Sequence, residues 1–203
     1  DEYNDLPYLT EVIGYSHLLH QRSNVGCFYT DALKGAMNVD ITFQNTGGVR
    51  SSLNEGDITK REIFEISPFN NGTVIYNMTV SEIKDFLKGS RSGFYYAGVI
   101  FEKINNDIIV KDVNGNIIPN NTILTVGLND YIPAVFDTYF PTPNTIKTET
   151  DAETVIKYLE NTNTQVKIHH SLRENLGSSV EDSEKLAGEI GKLTANIGNL
   201  NTV

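Results

Sequence analysis

Positions that lie near one helical face recur at the start of the chain. In residues 6–19 these positions are Leu6, Leu9, Val12, Ile13, Ser16 and Leu19, and residues 24–37 repeat the same 3.6-residue period. Such spacing is typical of amphipathic helices that pack on a core. The pattern predicts that two helices open the domain.

A short strand is predicted at residues 40–44. The four residues after it, Asn45, Thr46, Gly47 and Gly48, do not prolong regular structure and indicate a turn. Three later helix starts are indicated by a threonine followed three residues on by a glutamate, because the two side chains can cap free backbone N–H groups reciprocally. These pairs are Thr59/Glu62, Thr79/Glu82 and Thr150/Glu153.

The middle of the chain is predicted to form a sheet. Residues 98–112 and 117–128 are rich in Val and Ile, and Asn114-Gly115 between them is a dipeptide typical of β-hairpins. Helices and strands alternate early, whereas strands cluster later. This order predicts an α+β fold, a mixed β-sheet with packed helices, rather than a doubly wound fold.

The end of the chain has a different pattern. Spacings of four and three residues separate Leu186, Ile190, Leu193, Ile197 and Leu200, as in an amphipathic helix. Two roles stay open for it: docking on its own domain or forming a dimer helix. We therefore divide the chain into a main domain, residues 1–175, and a helical tail, residues 176–203.

Charge and composition exclude several classes of function. The 203 residues carry a formal net charge of −10, which argues against binding polymeric nucleic acid through its phosphates but not against binding one nucleotide. No apolar run approaches the roughly 18 residues of a membrane span. Only four histidines are present; His17 and His20 are three apart on the first predicted helix, and no carboxylates are arranged beside them as a metal cage.

Catalytic motifs are also missing from the sequence. There is no Gly-x-Ser-x-Gly elbow and no phosphate-binding Gly-rich loop before Lys-Ser/Thr. We therefore expect residues 24–71 to build a small-ligand site on a domain that has no catalytic machinery of its own.

The segment Asn45-Thr-Gly-Gly-Val-Arg50 has the chemistry of a binding site. It directly follows a predicted strand, where ligands of open α/β sheets often bind, and its glycines allow a ligand to approach the backbone. The guanidinium of Arg50 matches the oxygens of a phosphate or carboxylate. An equally good interpretation of Arg50 is a structural ion pair with an acidic residue.

A second candidate segment is Pro68-Phe69-Asn70-Asn71. It places an aromatic ring on a proline-stiffened loop, and a base stacked on such a ring gains roughly 1–3 kcal/mol. Taken alone, the segment favours Phe69 as a core residue.

Five pieces in this order carry a family resemblance: Asn24-Val-Gly26, Asp31-Ala32, Asn45-x-Gly-Gly-Val-Arg50, Gly56-Asp-Ile-Thr59 and Pro68-Phe69. Together they resemble the C-terminal domain of 5'-nucleotidases and UDP-sugar hydrolases, over about residues 10–170. In that family an N-terminal metallophosphatase domain holds two metal ions and attacks the phosphate. The C-terminal domain binds the nucleoside and rotates to deliver it.

The resemblance implies roles for individual residues. Asn45 would hydrogen-bond the base, Arg50 would meet the phosphate, and Phe69 would form one wall of an aromatic clamp. Asn71 and the backbone of Gly47 and Gly48 would line the pocket. The resemblance also implies no cofactor in this chain, a divalent metal pair in a metallophosphatase domain in cis or on a separate chain, and an extracellular, periplasmic or cell-surface location.

The sequence departs from the family at the turn and at one phosphate contact. Thr46 replaces the first of three glycines that usually open the turn, which would narrow the pocket. The position of an expected arginine is Leu19, with His20 and Arg22 only nearby.

The second aromatic wall departs further. The family places an aromatic directly after an Asn and before a Gly-Gly-Asp-Gly turn, but here Asn129 is followed by Asp130-Tyr131-Ile132-Pro133. Tyr131 or Phe136 are the candidate substitutes, and Asp137 is the candidate for the ribose-binding aspartate.

Two functions follow from these observations. The first is a nucleotide- or nucleoside-recognition domain of a 5'-nucleotidase-type phosphohydrolase. The alternative is a non-catalytic binding module or scaffold that retains the fold while its nucleotide site has degenerated, as the missing aromatic wall suggests.

Overall fold

The computed structural model describes residues 7–105 and 107–162. The strands are β1 (Val12–Ser16), β2 (Ile41–Asn45), β3 (Gly56–Thr59), β4 (Gly72–Thr79), β5 (Phe94–Ala97), β6 (Ile100–Ile104), β7 (Asp107–Lys111), β8 (Ile123–Asn129) and β9 (Thr145–Thr150). The α-helices are α1 (Arg22–Met37), α2 (Lys60–Ile66), α3 (Val80–Ser90), α4 (Tyr131–Val135) and α5 (Asp151–Thr162). Short 3-10 turns occur at Pro7–Thr10, Thr46–Gly48 and Asp137–Tyr139.

A five-stranded mixed sheet organises these elements. Its strand order is β5-β2-β8-β4-β9, in which β2 and β8 run parallel and the other neighbours are antiparallel. Two small antiparallel sheets, β1-β3 and β6-β7, lie beside it. The predicted α+β fold with a mixed sheet and packed helices is confirmed.

The two faces of the sheet bury different cores, because successive strand residues point to opposite sides. On β2, Ile41 and Phe43 belong to one core with side chains of α3, whereas the hydroxyl of Thr42 points the other way and donates to the carbonyl of Thr30 in α1 at 2.8 Å. The second core joins α1, α2 and α5 with the small β1-β3 sheet. Every residue of β2 from 41 to 44 is therefore buried.

The prediction of a first helix at residues 6–19 is wrong. Within the described part of that range, residues 7–19, only the 3-10 turn Pro7–Thr10 is helical, and β1 pairs antiparallel with β3, with Val12 opposite Thr59. His17 accordingly lies after a strand, with its ring centroid 5.0 Å from that of Tyr15. The pair His17 and His20 does not share a helix face.

The predicted second helix, the first predicted strand and the three predicted caps fit the structure. Helix α1 covers the predicted range 24–37, and β2 covers most of 40–44. Thr59 and Thr79 each form the complete reciprocal cap. At the third pair, the Thr150 hydroxyl accepts from the Glu153 N–H at 3.1 Å and the Glu153 carboxylate accepts from the Thr150 N–H at 2.9 Å.

The hairpin prediction needs correction. Asn114-Gly115 does form a turn, in which Gly115 has a φ of +88° and the Asp112 N–H donates to the Asn116 carbonyl at 2.8 Å. Across this turn the backbone forms an isolated bridge between Lys111 and Ile117 and not a pair of strands. The hairpin proper is β6-β7, whose turn begins at Asn105.

The predicted tail, residues 176–203, and the boundary at residue 175 lie outside the described residues, so they stay predictions.

Candidate functional site

The turn after β2 has a tightly packed side and an open side. Gly48 is buried, and a Cβ atom there would stand 2.8 Å from both Asn45 Oδ1 and Gln44 Nε2, so a larger residue would have to displace these two amide groups. Gly47 is exposed, and a Cβ there would meet only Asn45 Nδ2, at 3.9 Å. The turn therefore offers Gly47 and the Asn45 amide nitrogen to a ligand.

The buried side chain of Asn129 fixes the orientation of the Asn45 amide. Asn129 Oδ1 accepts a hydrogen bond from the backbone N–H of Ile132 at 3.2 Å. A backbone N–H can only donate, so this contact assigns the oxygen of Asn129. Its Nδ2 then donates to Gln44 Oε1 at 2.8 Å and to Asn45 Oδ1 at 3.1 Å. Asn45 thus keeps its Nδ2 donor on the open side, where it suits a hydrogen-bond acceptor of the ligand.

Replacing Asn129 by leucine is expected to lower the free energy of unfolding by about 2 kcal/mol. The buried Gln44 oxygen would lose its donor, and an unpaired buried polar group costs roughly 1–3 kcal/mol. Urea denaturation followed by circular dichroism measures the change. Asn54→Leu, at an exposed loop position, is the matched control and should leave stability unchanged. An Asn129→Leu variant as stable as the wild type would contradict the assigned network.

Arg50 and Phe69 meet at the open side of the turn. The backbone N–H of Arg50 donates to the carbonyl of Ile66 at 2.9 Å, which brings the Arg50 segment beside the end of α2. The guanidinium carbon lies 5.6 Å from the centroid of the Phe69 ring, within cation–π range, and Nη1 donates to the Gly47 carbonyl at 3.3 Å. Neither of these contacts neutralises the guanidinium charge.

The exposure and the partners of Arg50 and Phe69 decide between the two interpretations of each residue. Phe69 is 48% exposed, so it is not a core residue. Within residues 7–105 and 107–162, Arg50 forms no ion pair with a carboxylate. Both side chains are therefore accessible to a ligand.

Three other candidate residues make their described contacts outside this cluster. Asn71 lies directly before β4, and its carbonyl accepts from the backbone N–H of Asp151 at 2.9 Å. Asp137 is exposed at the start of its 3-10 turn, and among the described contacts none joins it to Asn45, Arg50 or Phe69. Arg22 is exposed at the start of α1, where it hydrogen-bonds Tyr95.

The two candidates for a second wall differ in exposure. Phe136 is half-buried, and its ring packs against those of Phe86 and Phe94, at centroid distances of 5.9 and 6.0 Å. Tyr131 is 48% exposed at the start of α4, two residues after Asn129. Tyr131 is therefore the more accessible ring.

Comparisons with known proteins identify the family of this chain. Residues 10–121 match the family described as 5'-nucleotidase, C-terminal domain. The chain belongs to this family. The family membership places Asn45, Arg50 and Phe69 on a fold that occurs in nucleotidases.

Similar proteins are much longer than the part that this chain matches. The chain is 27% identical over 145 residues to the trifunctional nucleotide phosphoesterase protein YfkN of Bacillus subtilis, covering 61% of the chain and 10% of that protein. It is 32% identical over 103 residues to a 5'-nucleotidase of Vibrio parahaemolyticus, covering 47% of the chain and 18% of that protein. The crystal structure of a 5'-nucleotidase precursor from Thermus thermophilus has the same fold, with a TM-score of 0.63 and 20% identity over 76% of the chain and 37% of that structure.

A buried polar cluster behind the turn after β2 was not predicted from the sequence. It contains Tyr29, Gln44, Ser67 and Asp151, all at most 1% exposed. Burial raises the pKa of the Asp151 carboxyl to about 6, and hydrogen bonds from the Ser67 hydroxyl and the Ala152 N–H oppose that rise. The only sequence signal was an acidic residue inside the Thr150/Glu153 cap, which looked like an ordinary helix start.

The described residues show neither a metal cage nor a membrane helix. In residues 7–105 and 107–162, no three or more His, Cys, Asp or Glu side chains are grouped so that they could hold a metal ion. Among the helices of the same ranges, none is long and apolar enough to cross a membrane.

Proposed function

We propose that this chain is the nucleotide- and nucleoside-recognition domain of a 5'-nucleotidase-type phosphohydrolase. It presents the substrate to a metallophosphatase domain, in cis or on a separate chain, that carries the divalent metal pair. One observation carries the proposal: a cationic guanidinium, an exposed aromatic ring and an oriented amide donor meet at one glycine turn. These groups match the phosphate, the flat face and an acceptor atom of a nucleotide.

Each group has a defined part in this proposal. Phe69 stacks against the base, Asn45 Nδ2 donates to a base acceptor, and Arg50 binds the phosphate oxygens. Asn71 and the backbone of Gly47 and Gly48 line the pocket, while Asp137 is the candidate partner of the ribose. The names of the relatives, which are nucleotidases and a nucleotide phosphoesterase, support this substrate class. Family resemblance supports an extracellular, periplasmic or cell-surface location.

A second candidate function is supported by position 130. The exposed Asp130 stands where the family has an aromatic wall, and its backbone N–H is bound to the Gly72 carbonyl at 2.9 Å. A carboxylate cannot stack on a base and repels a phosphate. This favours a non-catalytic binding module or scaffold, unless Tyr131 supplies the second wall.

Calorimetric titration of the chain with AMP, adenosine and UDP-glucose tests the proposal. We expect AMP and adenosine to bind. Arg50→Ala should weaken the affinity for AMP roughly 10- to 150-fold and leave the affinity for adenosine unchanged. The reason is that a hydrogen bond to a charged group contributes about 1.5–3 kcal/mol and adenosine lacks the phosphate. Arg91→Ala, which removes an exposed arginine at the end of α3, is the matched control.

Two results would count against the assignment. Absence of heat with every ligand at millimolar concentration would exclude a nucleotide site and favour the scaffold. An equal loss of AMP and adenosine affinity in Arg50→Ala would show that Arg50 does not bind the phosphate.

A further inference from the structure

The loop that carries Phe69 is attached at both ends to one residue of α5. This Phe69 loop, residues 67–71, connects α2 to β4. At its first residue, the Ser67 hydroxyl donates to Asp151 Oδ2 at 2.8 Å. At its last residue, the Asn71 carbonyl accepts from the Asp151 backbone N–H at 2.9 Å. One residue therefore closes the loop at its base.

The attachment points are buried whereas the tip is exposed. Ser67 is 1% and Asp151 0% exposed, while Pro68, Phe69 and Asn70 face solvent. Asn70 has a φ of +53°, in the left-handed region that lets so short a loop reverse direction. Among the described contacts, the tip itself is held where the Phe69 ring faces Arg50. The base is held by the two hydrogen bonds to Asp151 and by the Ser67 N–H, which donates to the Ile63 carbonyl at 3.2 Å.

Asp151 is itself held firmly by its surroundings. Its second carboxylate oxygen, Oδ1, accepts from the Ala152 N–H at 2.8 Å. The side chains that face the carboxylate come from α1, β2 and the Phe69 loop, namely Tyr29, Gln44 and Ser67, and Tyr29 alone among them titrates. Gln44 precedes Asn45, so Asp151 lies behind both the aromatic and the amide parts of the site.

We infer that Asp151 is a positioning residue for ligand binding, which acts through Ser67 and Asn71 to hold Phe69 beside Arg50. The inference rests on the proposed function, because it assigns Asp151 to the same nucleotide site. Asp151 does not touch the ligand, and the ring that it positions does. Buried carboxylates with a perturbed pKa cluster at functional sites, and Asp151 is such a carboxylate.

A reporter for the loop makes the inference testable without a ligand. The chain contains no tryptophan, so Phe69→Trp introduces a single fluorescent indole at the tip of the loop. In this background Ser67→Ala is expected to lower the steady-state anisotropy of the indole and to increase its quenching by acrylamide. Asp151→Asn, which keeps an oxygen acceptor and the backbone N–H, should give a smaller change of the same sign.

The matched control is another buried serine. The hydroxyl of Ser16, 0% exposed, donates to the Leu18 carbonyl at 2.8 Å, away from the Phe69 loop. Ser16→Ala removes the same atom and should leave the indole anisotropy unchanged. Thermal unfolding of each variant identifies any that fails to fold; if Ser67→Ala does, Asp151→Asn decides the result.

Binding provides the second measurement, with Phe69 intact. Ser67→Ala is expected to weaken the binding of adenosine about 3- to 10-fold, because it removes one hydrogen bond at the base of the loop that carries the stacking ring. Ser16→Ala should bind adenosine as the wild type does.

The outcomes separate the inference from the function on which it rests. Unchanged anisotropy and unchanged adenosine affinity in Ser67→Ala would overturn the role of Asp151 while leaving the nucleotide site intact. If the wild type binds no nucleoside, the proposed function fails, and the anisotropy still decides whether Asp151 holds the loop. Equal anisotropy changes in Ser67→Ala and Ser16→Ala would show general loosening of the fold and would also overturn the inference.

Discussion

Replacing Phe69 by alanine is expected to weaken adenosine binding roughly 5- to 150-fold and to leave stability nearly unchanged. Stacking of a base on an aromatic ring contributes about 1–3 kcal/mol, which corresponds to this range of affinity. Phe69 is 48% exposed, so its removal leaves no large cavity. Titration calorimetry measures the affinity, and urea denaturation measures the free energy of unfolding.

The pair of measurements distinguishes a binding role from a core role. If Phe69 were a core residue, Phe69→Ala would cost about 3–5 kcal/mol of stability, and the affinity loss would follow from unfolding. Tyr15→Ala removes another partly exposed ring, on β1, and should change neither quantity. An unchanged adenosine affinity in Phe69→Ala would remove the main support for base stacking.

Local signals explain what the sequence could predict about the fold. The caps at Thr59 and Thr79 depend on residues only three positions apart, so the sequence alone determines them. Helix α1 ends where Asn38 adopts a left-handed φ of 53° and its N–H bonds to the Lys34 carbonyl. Its length and its 3.6-residue period are local features that the sequence shows directly.

The error at residues 6–19 has a non-local cause. Val12, Ile13 and Tyr15 favour strands, but the spacing of the apolar positions also fits a helix. The segment becomes a strand because β3 lies beside it, with Tyr15 opposite Asp57 and Ser16 opposite Gly56. Periodicity within one segment cannot reveal a partner that arrives from later in the chain.

The same limit applies to the candidate site. Glycine content and side-chain chemistry pointed to Gly47, Gly48, Arg50 and Phe69 within one stretch of the sequence. The polar groups behind them are joined by contacts between residues 84 or 85 positions apart, as between Ser67 and Asp151 or Gln44 and Asn129. Such pairs can be identified only after the sheet has brought β2, β8 and α5 together.

The pH dependence of stability is expected to differ between the wild type and Asp151→Asn. Burial raises the pKa of the Asp151 carboxyl from the model-compound value of 3.8 to about 6 in the folded state. The folded state therefore holds this proton more tightly than the unfolded state does. Its stabilising contribution is complete below about pH 4 and is lost as the pH rises through about 6. The wild type should lose about 2 kcal/mol of unfolding free energy relative to Asp151→Asn between pH 4 and 7.

Asp107→Asn controls for the general effects of pH, because the pKa shift of the Asp107 carboxyl has the opposite sign to that of Asp151. Lys88, the Ile108 N–H and Lys84 hold the pKa of the Asp107 carboxyl well below its usual range. The wild type should therefore gain stability relative to Asp107→Asn as the pH rises towards about 4. Urea denaturation of the three proteins from about pH 2 to pH 7 measures both differences, the Asp107 change below about pH 4 and the Asp151 change above it. If the difference in stability between the wild type and Asp151→Asn stays constant from pH 4 to 7, the pKa of the Asp151 carboxyl is not raised in the folded state. A carboxyl whose pKa differs between the folded and unfolded states must change stability as it titrates.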